Sequence, residues 1–204
     1  FGTSVYPVTP ILVNIINGSL SLSLLAVVMY YSGELMTRER TVKLNEILDS
    51  LPYPNWVMMA AKLSGLLTVV IMMLLVAMLA GVGIQLSKQF YDFDLLVYIQ
   101  GLFFFFQFPL YFMCVLSLFF YVITRSKYMT MFLLILYVVA MLALPNMGWQ
   151  HYLYLFNKPG VQYSAFTGFE HQFDAWFWYT IYWSLWGSVL LITIHLLWPR
   201  GSED

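Results

Sequence analysis

Two long apolar runs are separated by YYSGELMTRERTVKLNEILDSLPYPNW, residues 30–56. Only 9% of the 204 residues are charged, yet Glu34, Arg38, Glu39, Arg40, Lys43, Glu46 and Asp49 all fall in this stretch. Its flanks explain the crowding. The chain is 61% hydrophobic and 19% aromatic, with a mean hydropathy of +0.78. Soluble domains carry about a quarter charged residues, and a soluble core of this size could not hide so much apolar surface. Most of the chain is therefore solvated by lipid, and the quoted stretch is where it leaves the lipid.

A bilayer-spanning helix needs roughly 20 apolar residues. Five stretches qualify: residues 11–31, 56–86, 95–123, 128–144 and 175–198. The expected fold is all-α, a polytopic transmembrane helical bundle. Asn55 is placed to cap the second span, and Pro109 to bend the third. Pro145 and Pro199 stop the fourth and fifth.

Basic residues set the orientation. Arg38, Arg40, Lys43, Lys62, Arg125, Lys127 and Arg200 fall on one side, and only Lys88 and Lys158 on the other. The start of the chain is then outside, with the charged hairpin and the C-terminus cytoplasmic. The chain opens FGTSVYPVTP without an initiator Met and closes LLWPRGSED. An odd number of spans starting outside leads to the expectation of a longer polypeptide with one further span before Phe1. Residues 146–174 mix aromatics with polar residues and glycines, and are expected to form re-entrant helices in the outer leaflet.

Within the charged segment, residues 32–55, Leu44, Ile47, Leu48 and Leu51 recur at helical spacing. Glu34–Arg38 and Glu39–Lys43 are i, i+4 pairs of opposite sign, which favour a helix. Pro52 and Pro54 end it. The charges are of both signs, so this is not simply a basic anchor for anionic lipid. Two readings stand: a solvated surface helix, or a docking element for a cytoplasmic partner protein.

GELMTRERTVKLNEILDSLPYPNWVMMAAKL resembles the intracellular segment of type-2 ABC transporter permeases, with Arg38-Glu39, Glu46, Ile47-Leu48, Pro52 and Lys62 at the matching positions. The resemblance implies that this is the coupling helix, resting on an ATP-binding subunit. Glu34, Arg38, Glu39, Arg40, Lys43, Glu46 and Asp49 are then the candidate contacts. It also implies six spans in the parent domain and a pathway between two copies or a paired permease. ATP and Mg would sit on the partner subunit, and the location would be the bacterial inner membrane. YYSGELMTRER, SLPYPNW, YSAFTGFEH and LLWPRGSE resemble the branch of such permeases fused to an aminopeptidase-N-like metallopeptidase. That peptidase needs HExxH. His151, His171 and His195 do not form it, so any peptidase would lie beyond Asp204. A membrane scaffold that anchors such a peptidase and transports nothing is the alternative function.

Other polar residues are few. Asn14, Asn17, Gly18 and Ser21 lie toward one side of the first span, where they would serve helix packing or a substrate path. Gln100 and Gln107 in the third span mark a helix contact or the pathway, because amides in lipid need partners. Lys62 is expected to snorkel to the interface. His151 and His171, with Glu170 and Asp174 near, lack a metal-ligand spacing, and His195 suits an interfacial or packed position. Cys114 stands alone in an apolar run. There is no nucleophile elbow, Walker motif or phosphate loop, and a net charge of −1 gives no sign of nucleic acid. No catalytic residue, metal or cofactor is assigned to the chain, and a transport subunit rather than an enzyme is expected.

Overall fold

The computed structural model describes residues 7–42, 54–153, 163–164, 168–169 and 173–198. Among these the chain is helical, with a lone bridge between Ser164 and Gly168. The helices are α1 (Thr9–Thr41), α2 (Asn55–Ser87), α3 (Leu95–Tyr98), α4 (Phe108–Thr124), α5 (Lys127–Ala143) and α6 (Phe173–Leu196). A π-helical stretch, Ile99–Phe105, joins α3 toward α4, and a 3-10 turn, Leu144–Met147, follows α5. Five units are long and apolar enough to cross a membrane: Thr9–Glu39, Asn55–Ser87, Leu95–Thr124, Lys127–Met147 and Phe173–Leu196. The chain is thus a multi-pass helical membrane protein. In hydrocarbon every backbone group must be satisfied within the segment, which leaves helices as the available form.

The third span is the centre. It is the most buried of the five, and α4 packs on α1, α2, α5 and α6. Cys114 and Leu118 of α4 are sealed among Leu24 of α1, Leu74 of α2, Leu134 of α5 and Ile194 of α6. The outer faces keep large apolar side chains exposed, such as Leu22, Val76, Leu79 and Leu185. Intrahelical hydroxyls return to their own backbone, as Ser19 does to the Ile15 carbonyl at 2.6 Å and Thr68 to that of Ser64 at 2.8 Å.

Three features depart from the sequence reading. First, α1 does not stop near Tyr31; it runs on to Thr41 as one helix. Glu34, Arg38 and Glu39 therefore ride on the span itself, not on a separate surface helix. The stripe Leu44, Ile47, Leu48, Leu51 lies outside the described residues. Second, the bend expected at Pro109 is present, but it lies in the turn before the proline. The π-helical bond from the Phe106 amide to the Gly101 carbonyl, 3.1 Å, changes the helical register, and Pro109 sits in the first turn of α4. That place suits a residue without an N–H. The Tyr111 hydroxyl donates to the Phe103 carbonyl at 2.9 Å, across the break. Third, the N-cap of α2 is Pro54, with no side-chain capping bond. The carboxamide oxygen of Asn55 is buried without a partner rather than capping the helix.

Of the expected re-entrant segment, residues 146–153 form the end of the 3-10 turn and an irregular stretch. Residues 154–162, 165–167 and 170–172 lie outside the described residues. Gly148, at φ +91°, closes the turn, with bonds from its amide to the Pro145 carbonyl and from the Trp149 amide to the Leu144 carbonyl. Glycine tolerates this left-handed conformation.

Candidate functional site

The charged end of α1 is held by three other helices. Gly33 makes the first contact possible, because a Cβ there would stand 2.9 Å from Cγ of Lys127. The Lys127 stem passes through that gap. Its ammonium pairs with the Glu34 carboxylate and lies 5.2 Å from the centre of the Tyr30 ring, within cation–π range. Lys127 is the first residue of α5, which follows α4 after only Arg125 and Ser126. Arg125, at φ +50°, makes the tight turn, and the Thr124 and Thr130 hydroxyls meet at 3.1 Å across it.

Further along α1, the Tyr121 hydroxyl of α4 donates to the Met36 carbonyl at 3.2 Å. Lys62 of α2 then reaches Glu39 at 2.7 Å and also donates to the Leu35 carbonyl at 3.3 Å. The Lys62 side chain is 7% exposed and that of Glu39 32%. Lys62 does not snorkel free, because it lies a full two turns inside α2 and meets a carboxylate there before it could reach water. A charge this well covered needs its partner, since an unpaired one is costly.

The seven charges of the sequence therefore separate. Glu34 is tied to Lys127 rather than to Arg38, and Glu39 to Lys62; the expected Glu39–Lys43 pair falls on a residue outside the described ones. Tertiary partners win because each lysine approaches from a packed helix with few other polar groups to face. Arg38 is exposed and has no ion pair among the described residues. The Arg40 side chain, and Lys43, Glu46 and Asp49, lie outside the described residues.

The six polar or small positions in the spans also separate. The Gln107 amide donates to the Asn17 carboxamide oxygen at 3.0 Å, joining the central span to α1. Asn14, Gly18 and Ser21 lie on the exposed face of α1, with the Ser21 hydroxyl on the Gly18 carbonyl at 3.2 Å. Gln100 is half-buried in the π-helical stretch. Asn17 and Gln107 thus form a helix contact.

A second polar cluster, at the opposite end of the bundle, went unseen in the sequence. Gln85 is fully buried; its amide donates to the Pro7 carbonyl at 2.9 Å and the Thr9 hydroxyl at 3.1 Å. The Tyr98 hydroxyl donates to the Gln85 carboxamide oxygen at 2.9 Å, and the Asp94 amide to Thr9 at 3.3 Å. This knot ties the start of α1, the end of α2 and α3. Its sequence signal was the amide at the end of an otherwise apolar helix.

Among the described residues, no group of three or more His, Cys, Asp or Glu side chains is gathered as metal ligands. His151 accepts the Leu153 amide at 3.2 Å on Nδ1, and Glu170 and His171 lie outside the described residues. Family models, curated proteins and solved structures were each compared with the chain, and none matches it.

Proposed function

We propose that this chain is the membrane-spanning permease subunit of a type-2 ABC transporter, driven by ATP hydrolysed on a separate subunit. The observation that carries the reading is the unbroken α1, which leads from the apolar bundle into the charged segment and is gripped there by α2, α4 and α5. A helix so held would carry a push on its charged end into four of the five spans. Arg38, exposed and without an ion pair among the described residues, is the described side chain best placed to meet a partner. Residues 43–51 carry the rest of the contact. The orientation follows from the basic residues, with this end in the cytoplasm of a bacterial cell. Two copies would form the pathway, and substrate identity is left open.

Charge reversal tests the proposal. Arg38→Glu combined with Glu46→Lys is expected to abolish association with an ATP-binding subunit and ATP turnover, with the bundle still folded. Unchanged association and turnover would overturn the docking surface. A full-length chain that purifies with no ATP hydrolysis at all would favour a membrane anchor instead.

A further inference from the structure

Away from the charged end, a gap lies between α5 and α6. Both pack on α4, and neither rests closely on the other. Tyr179, Tyr182, Trp183 and Trp186 fall at i, i+3, i+4 and i+7 on α6, so they form one stripe. The turn closed by Gly148 brings the chain back over this stripe. Tyr152 meets Tyr179 edge to face, with ring centres 5.4 Å apart. The result is a cleft of about 570 Å³ lined by Leu144, Trp149, Leu153, Tyr182, Trp183 and Trp186. Trp183 also borders a second space of about 200 Å³ that runs along α4 past Ser184, Gly187 and Ser188.

We infer that this cleft binds one acyl chain of a membrane phospholipid. Three observations select that occupant. Trp183 lies ten residues into α6, about 15 Å along the helix at 1.5 Å per residue, so the cleft opens within the membrane span. Among the described residues no lining side chain is charged, so the contact they offer is hydrocarbon and aromatic. The volume falls in the range of small-ligand sites, about 300–1,000 Å³. One turn of a helix 10–12 Å across fills roughly 400–600 Å³, so the cleft has room for about one turn and not for the several turns of a spanning helix, whereas a single flexible chain fits. The site stands whether or not the chain transports anything.

The test uses the chain in nanodiscs containing a few mole per cent of a phosphatidylcholine with a diazirine in one acyl chain. After illumination, adducts are mapped by mass spectrometry. Labelling of peptides bearing Trp149–Leu153 and Tyr182–Trp186 is expected to saturate with probe and to exceed that at the lipid-facing Leu22 and Leu79 at least fivefold. Leu153→Trp, which fills the rim, should cut cleft labelling severalfold and leave labelling at α2 unchanged. Labelling that rises linearly with probe, as expected at Leu79, would overturn the site, and so would a folded Leu153→Trp variant that labels fully. If that variant does not fold, saturation in the unaltered chain decides alone.

Discussion

The two ends of the bundle are tied by opposite chemistries. At one end, charged side chains bridge helices: Lys127 to Glu34 and Lys62 to Glu39. At the other, a neutral knot of Gln85, Thr9 and Tyr98 is buried to 2% exposure or less. Neutral hydrogen bonds are short-ranged and depend on contact geometry, whereas ion pairs respond to salt and to other charges. The knot therefore suits a fixed end, and the charged end suits a place where an external charge can shift the balance. The difference can be broken from either side.

The largest effect is expected at the fixed end. A Cβ on Gly81 would stand 2.8 Å from Ile16 Cδ1 and 2.9 Å from the Tyr98 hydroxyl. Gly81→Leu must push Tyr98 away from Gln85, so overpacking and the lost bond together cost about 2–3 kcal/mol. Thermal unfolding in detergent should show the loss, and it should be the same at low and high salt. A tolerated leucine would mean that the knot yields easily and the two ends are not so different.

Lys62→Met comes next. It leaves Glu39 partly covered without its cation, at a cost of about 1–2 kcal/mol, below the figure for a fully buried pair because Glu39 is a third exposed. Glu39→Gln in the same background should restore most of it, and the double-mutant cycle measures the coupling. A coupling near zero would remove Lys62 from the grip on α1.

How far these contrasts could be read in advance depends on range. Spans were legible because hydrophobicity over about 20 residues is local, and the five apolar stretches reappear as five helices. The partners of Glu34 and Glu39 were not, because Arg38 and Lys43 stand four residues away while Lys127 and Lys62 stand 93 and 23 away. Periodicity ranks the near pairs first, and only packing brings the far ones closer. The end of α1 was misplaced for a related reason: polarity marks where lipid ends, and a helix can continue past that point. Pro109 was legible as a bend, since proline cannot bond the carbonyl four residues before it, and the helix is interrupted in that turn, between the π-helical stretch and Phe108.

The smallest expected effect sharpens the comparison most. The Glu34–Lys127 pair is more open than Lys62–Glu39, with side-chain exposures of 42% and 24%. Lys127→Gln should cost little at low ionic strength, and almost nothing in molar salt, where the screening length falls to about 3 Å. Gly33 was spent on making room for this lysine, so a weak pair in a specially cleared place implies that geometry rather than stability is at stake. A measurable salt-dependent loss in Lys127→Gln, beside a salt-independent one in Gly81→Leu, would establish that the ends differ in kind. Equal salt responses would leave two clamps that differ only in strength.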